Sequence, residues 1–301
     1  MIAAAGNFPN HTFVANTTTP FPVNGDNGDS NIDITDEITL VDLFEPVGIT
    51  YKIYSEDYPT SGKCWLGDGY GNETAQDIAN YNPGLVGASG VNRLYKRKHN
   101  PFIAFNTFKS SRTRCAAEKN LDDFYSDLLD GNLPMFSYVV PSQAHDAHDV
   151  TIEYTAAWYQ QFVNDLMESP QFLNSRVLVH VTYDEDDTAY TYYYNAPVDD
   201  NNVTNPYYNA SCVYDPSAPP NACAPAGCKD LLDCPLDVNR NRVYSVVFGS
   251  AIPTSSAGMI DNTHYNHASI AATLEANWGL GSLDRMDRSA NAFGSQVSYG
   301  W

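Results

Sequence analysis

The strongest constraint on the fold is a repeated change of apolar rhythm, from the 3.6-residue period of a helix to the short runs of a strand. Tyr154, Trp158, Phe162 and Leu166 fall four apart, with Tyr159, Val163 and Met167 beside them, which predicts a long amphipathic helix ending before Pro170. Val177 to Tyr183 follows as a nearly continuous apolar run, the pattern of a strand covered on both faces. The same pair occurs upstream. Leu121, Phe124/Tyr125 and Leu128 carry helical spacing with Gly131 as a stop, and the β-type run Phe136 to Val140 is then halted by Pro141. Thr35 to Phe44 carries a further helical stripe with Gly48 just past its end, followed by a β-prone segment, Ile49 to Tyr54. Val243 to Phe248 reads as another strand and Ser269 to Trp278 as a last helix closed by Gly279. Strand and helix in alternation predict an α/β fold with parallel crossovers.

At 301 residues the chain allows one large domain or two small ones. With 43% hydrophobic and 13% aromatic residues it has too much apolar surface for global disorder. A formal charge of −20 opposes a nucleic-acid backbone, so nucleic acid is excluded as a partner class. No apolar run approaches the ~20 residues that cross a bilayer, so no transmembrane segment is expected. Residues 9–34 read as a polar loop, and 190–240 as an insertion, held by disulfides, within a single domain spanning 1–301. There is no internal repeat.

The cysteines lack the paired spacing of a zinc site. Four of the six, Cys212, Cys223, Cys228 and Cys234, crowd into a Pro/Asn/Ala-rich stretch where disulfides can hold a segment with little core. Asn-x-Ser/Thr triplets occur at Asn10, Asn16, Asn72, Asn202 and Asn209 among turn-forming residues. Chance supplies some such triplets, but together with the cysteines they point to a secreted, extracellular glycoprotein. Met1 to Gly6 lacks the basic start and apolar length of a signal peptide, so the expectation is a chain that begins inside a longer protein.

In open α/β sheets, ligands collect beyond the carboxyl ends of the strands, and three polar clusters stand near that position. Asp184-Glu185-Asp186-Asp187 follows the strand ending at Tyr183 and is either a solvated acidic turn or a grip for a cation. His145-Asp146-Ala147-His148-Asp149 either caps the next helix or holds an imidazole, oriented by a carboxylate, near a metal or a charged oxygen. His264-Tyr265-Asn266-His267 opens the last helix, where unpaired N–H groups attract phosphate, unless it is an ordinary capping turn. Basic residues are scarce, so Arg93, Lys96, Arg97, Lys98 and His99 mark either a solvated run or a place where positive potential meets an anion.

These motifs, in order, resemble the secreted phosphoesterases that include fungal and bacterial acid phosphatases and phospholipase C-type enzymes, within the alkaline phosphatase-like superfamily. The resemblance is carried by Val41-Asp42-Leu43 through Gly48-Ile49-Thr50-Tyr51 and Glu56-Asp57-Tyr58-Pro59, then by Arg97-Lys98-His99-Asn100-Pro101-Phe102. It continues through Asn132-Leu133-Pro134 to Pro141, Asp146-Ala147-His148-Asp149, Val181-Thr182-Tyr183-Asp184-Glu185, Tyr265-Asn266-His267-Ala268-Ser269 and Thr273 to Leu280. Departures include Ala147 for the usual glycine, Ser142 for a common asparagine and Ala272 where bacterial members often carry arginine.

The resemblance implies a three-layer, mostly parallel sheet with helices on both faces. It also implies a metal-dependent phosphoric ester hydrolase, with Asp184 and Glu185 as ligands of a divalent metal ion. His148 and His267 would contact the phosphoryl group or move protons, while His99, Asp146 and Asn266 would bind substrate. The family's nucleophilic hydroxyl and its first metal ligands are expected upstream of Met1. A small phosphomonoester hydrolysed at acidic pH is the leading expectation. The alternatives are a phospholipase C-type phosphodiesterase and a catalytically inactive glycoprotein of the same fold.

Overall fold

The computed structural model describes the backbone of residues 2–5 and residues 38–59, 61–67, 94–148, 150–183 and 243–294. The polar loop 9–34, the 190–240 insertion with its four cysteines, and the five asparagine triplets lie outside the described residues. So do Arg93, Asp149, Asp184 and Glu185.

Six strands form one sheet: β1 (Ile2–Ala5), β2 (Tyr51–Ser55), β3 (Glu118–Asn120), β4 (Phe136–Val140), β5 (Val179–Tyr183) and β6 (Ser245–Phe248). Their order is β3-β2-β4-β1-β5-β6. Every neighbouring pair is parallel except β5 and β6, which are antiparallel. β1 occupies the middle, with Ala3 opposite Val139 on one side and Val181 on the other. The helices are α1 (Leu40–Phe44), α2 (Asn106–Lys109), α3 (Arg112–Cys115), α4 (Leu121–Leu129), α5 (Ile152–Glu168), α6 (Pro170–Asn174) and α7 (Ala268–Trp278). These elements belong to one compact unit.

Successive strand residues point to opposite faces, and the core divides accordingly. Ile53, Phe136, Tyr138 and Val140 join Leu40, Val41 and Phe44 of α1 and Ile270 and Ala271 of α7. Tyr54, Val139, Val179 and Val181 face the other way and join Leu121, Phe124 and Leu128 of α4 and Phe162 and Leu166 of α5. The result is the expected helix–sheet–helix sandwich. Aromatic contacts bond the layers: Phe44 lies 5.2 Å from Phe136 and 5.5 Å from Trp278, and Phe124 stacks on Phe162 at 5.4 Å. Each such side chain stabilises the fold by roughly 1.5–3 kcal/mol through burial.

Boundaries shift for local reasons. α1 begins at Leu40, because the Asp42 carboxylate accepts from the N–H and hydroxyl of Thr39 and fixes that residue as an extended cap. Pro170 ends α5 but also opens α6, where its missing N–H costs nothing and the Ser169 hydroxyl accepts from Phe172 N–H at 3.1 Å. Gly279 closes α7 at φ +60°, in the left-handed region. Two strands, β1 and β3, and one disulfide, Cys64–Cys115, are additional to the elements the apolar rhythm marks. Among the described residues no helix is long and apolar enough to cross a membrane.

Candidate functional site

Parallel strands deliver their carboxyl ends to one edge, where Ser55, Val140, Ala5 and Tyr183 end β2, β4, β1 and β5 in that order. The segment after β2 starts with Glu56, whose N–H donates to Val140 O at 2.9 Å. Its carboxylate receives Ser142 N–H at 2.9 Å and His145 Nδ1 at 2.9 and 3.0 Å. The His145 ring is also stacked on Trp158 of α5, 4.8 Å between centroids with an 11° tilt, and lies 5.3 Å from Tyr154. With Nδ1 directed at a carboxylate, a neutral ring carries its acceptor lone pair on Nε2. The loop that follows β4 is therefore clamped from the sheet on one side and from a helix on the other.

Further along this loop, Asp146 is 2% exposed and its Oδ1 accepts from His148 N–H at 2.9 Å. Ala147 between them takes φ +63°, and the His148 side chain is exposed. Gln143 N–H donates to Leu94 O at 3.1 Å, and Leu94 and Ala144, both fully buried, pack together. That contact couples the loop to the segment bearing His99.

Arg97–His99 is a single 3-10 turn. Asn100, buried behind it, donates through Nδ2 to Glu118 Oε2 at 2.7 Å and accepts from Phe102 N–H at 3.2 Å. Glu118 is completely buried, and burial pushes its carboxyl up to about 8. His99 is pressed down to about 3, chiefly by burial and then by the charges of Lys98, Lys96 and His148. Two things follow. The His148 charge reaches His99, and above that pH His99 is a neutral imidazole, able to meet an anion only as a hydrogen-bond donor. The basic run is thus not uniformly a solvated face, since Arg97 and His99 are both buried.

Asn266 and His267 precede α7, with His267 at the capping position. Asn266 Oδ1 accepts from Ala268 N–H at 3.0 Å, so this amide oxygen serves the helix terminus. Tyr265 donates to Asp261 at 2.6 Å and stacks on Phe293 at 4.3 Å, while Asn291 Nδ2 donates to His264 O at 2.8 Å. The other end of α7 places Trp278 against Phe44, which also packs on Phe136 and Tyr51 at the starts of β4 and β2. The helix therefore runs against the parallel strands, which puts Asn266 and His267 toward the carboxyl edge.

The structure thus gathers His99, Asp146 and His148 in one coupled loop system and brings Asn266 and His267 to the same edge. Glu56 and Glu118 are functional candidates that spacing alone does not single out; the quoted Glu56-Asp57-Tyr58-Pro59 motif was the signal for the first. Among the described residues no group of three or more His, Cys, Asp or Glu could hold a metal ion. A separate cavity of about 320 Å³ lies between α7 and the sheet, lined mainly by apolar side chains including Phe136, Ile270, Trp278 and Phe293. Its His180 donates to or accepts from the Ser245 hydroxyl at 2.8 Å and is lowered to about 4 by burial, an environment unsuited to a phosphate dianion.

The chain is similar to known proteins over most of its length. The chain is 31% identical over 253 residues to a phosphate-repressible acid phosphatase of Penicillium chrysogenum, covering 84% of this chain and 45% of the relative. It is 29% identical over 252 residues to a probable acid phosphatase of Kluyveromyces lactis, covering 84% and 44%. An acid phosphatase of Aspergillus niger is 27% identical over 255 residues, covering 85% and 45%. The chain therefore spans less than half the length of these curated relatives. The sequence model of the Phosphoesterase family matches residues 3–281, with the clamped loop, the buried histidine turn and the amino end of α7 all inside the match, and the chain belongs to that family.

Proposed function

We propose that the protein is a phosphoric ester hydrolase that takes small phosphomonoesters at acidic pH. The observation that carries this reading is the carboxyl-edge loop of β4, which holds Asp146 and His148 and is bonded and packed to the Leu94 segment that leads into the His99 turn, inside a Phosphoesterase family match. The names of the relatives, acid phosphatases, favour a monoester. His148 and His267 are the candidates for phosphoryl contact and proton movement, and His99, Asp146 and Asn266 for holding the substrate.

Asp184 and Glu185 directly follow β5 in the sequence, and their hard oxygen donors suit a divalent cation. When bound, such an ion neutralises phosphoryl oxygens. Secretion is proposed on the Cys64–Cys115 disulfide, which persists in oxidising compartments.

The test is hydrolysis of 4-nitrophenyl phosphate by protein made from its complete reading frame, set against phosphocholine release from lecithin. Phosphate release with no phosphocholine release is expected, and the reverse preference overturns the monoester assignment. Asp184→Ala should lose bound metal and turnover together, whereas activity indifferent to both the substitution and a chelator rejects the metal role.

A further inference from the structure

We propose that Glu56 is a positioning residue, acting through His145 to set the loop that presents Asp146 and His148. The inference deepens the hydrolase reading and rests on it. Three strands of evidence meet at this carboxylate. Both of its oxygens engage His145 Nδ1, and one also takes Ser142 N–H, so a single side chain holds both the entry and the middle of the loop. The side chains of His145 and Glu56 are 7% and 13% exposed, which keeps the pair from being dispersed by water. Beneath the imidazole, Trp158 and Tyr154 supply flat surfaces that belong to α5, not to the sheet.

The geometry has a directional consequence. Glu56 leaves β2, and β2 is hydrogen-bonded to β4 along its length, from Tyr51 opposite Phe136 to Ser55 opposite Val140. The carboxylate is therefore referenced to the sheet, and His145 transfers that reference to the residue next to it, Asp146, whose Oδ1 accepts from His148 N–H. Glu56 and His145 do not touch the reacting atoms in this account. They fix where His148 stands, and a displacement of about 1 Å in a group moving a proton can cost a factor of about 100.

The experiment compares Glu56→Gln with Asp127→Asn in protein from the complete reading frame. Asp127 anchors Lys52 and Tyr54 of β2 to α4, so its loss breaks a half-buried knot on the same strand without addressing the loop. Turnover of 4-nitrophenyl phosphate per folded molecule and the 15N resonances of the His145 and His148 rings are the readouts. Glu56→Gln should lower kcat about tenfold or more, with KM within about threefold, and shift both imidazoles. Asp127→Asn should lower the melting temperature while keeping kcat within about twofold. Unchanged kcat per folded molecule in Glu56→Gln, or a His148 resonance that stays put, overturns the proposal. Should Glu56→Gln fail to fold, Trp158→Leu removes the plate under His145 and must move the same His148 resonance. A wild-type protein that cleaves no phosphoester sinks the hydrolase reading, whereas the nitrogen resonances still decide whether Glu56 governs His148.

Discussion

Ala147 shows how one residue can carry a cost for the sake of a loop. Its φ of +63° is a region where a Cβ crowds the following carbonyl, at about 1–2 kcal/mol. The conformation is needed because the turn returns His148 N–H to Asp146 Oδ1 at 2.9 Å. Ala147→Gly relieves the crowding but loosens the unfolded chain, and the difference favours the variant by about 0.5–1 kcal/mol. A melting temperature that rises by a few degrees, with kcat unchanged, is the expected result; a fall would mean that the methyl group packs where the turn needs it. His99, only a few residues from Leu94, makes a complementary point. The basic neighbours that make the segment conspicuous in the sequence are part of what keeps this imidazole uncharged.

At the scale of elements, two cross-connections hold the segments that flank the site. Cys64 and Cys115, separated by 51 residues, tie the segment after β2 to α3. Closing a loop of that size is worth about 2–4 kcal/mol, so Cys64→Ser with Cys115→Ser should lower the unfolding free energy by about that amount, seen as a lower denaturant midpoint with a slope that rises as the unfolded chain expands. Gly249, just past β6, sits at φ +125° with the Val177 carbonyl so close that an added Cβ would lie 2.3 Å from it. Gly249→Ala should cost more than about 2 kcal/mol, read as reduced stability, because neither backbone can yield without opening the β5–β6 pair.

The elements legible in the sequence were those with enough residues to show a period. Phe136 to Val140 agrees residue for residue with β4, and Leu121 to Leu128 nearly so with α4, because both present alternate or four-spaced side chains to a core. β3 has three residues, Glu118, Lys119 and Asn120, all polar, and joins the sheet by backbone pairing with Ile53 to Ser55, for which no apolar pattern exists. The Cys64–Cys115 bond was hidden for a similar reason: partners far apart in sequence carry no local signature, while the crowded cysteines after residue 210 draw attention. In the site, His145 to His148 and His264 to His267 stand out as clusters, but the Glu56–His145 pairing joins residues 89 apart and needs the β2–β4 register to be seen.

For the whole molecule, one buried and one half-buried acid combine with two buried imidazoles into a stability optimum. Glu118 and Glu275, raised by burial to about 8 and about 7 from 4.5, hold protons when folded that the unfolded chain releases above about pH 4.5. Their contribution is complete below pH 4.5 and is lost as pH rises through about 7 and 8. His99 and His180, lowered to about 3 and about 4 from 6.5, behave in the opposite sense: their contribution is complete above pH 6.5 and is lost as pH falls toward those values. Between about 4.5 and 6.5 the folded chain holds the two acid protons and the unfolded chain the two imidazole protons, so these slopes cancel. Stability should therefore be flat across that interval, falling on both sides, with Asp42, Asp261 and Asp287, all held below the usual carboxylate value, adding to the loss at low pH. Melting temperatures measured from pH 3 to 9 check this, and Glu118→Gln should flatten the alkaline limb. A maximum above pH 8 would contradict the raised carboxyls of Glu118 and Glu275.

The placement of β1 also governs the order in which the protein can assemble. Its neighbours are residues 136–140 and 179–183, so β1 (Ile2–Ala5) has no mate until residues 136–140 have been made, and lacks its second until residues 179–183 follow. Until β1 slides between them, β4 and β5 each expose a bare row of amides and carbonyls at the heart of the future sheet. Translation speed and chaperone holding through that interval then decide how much of the newly made chain reaches the native state and how much is lost to strand-to-strand association between copies.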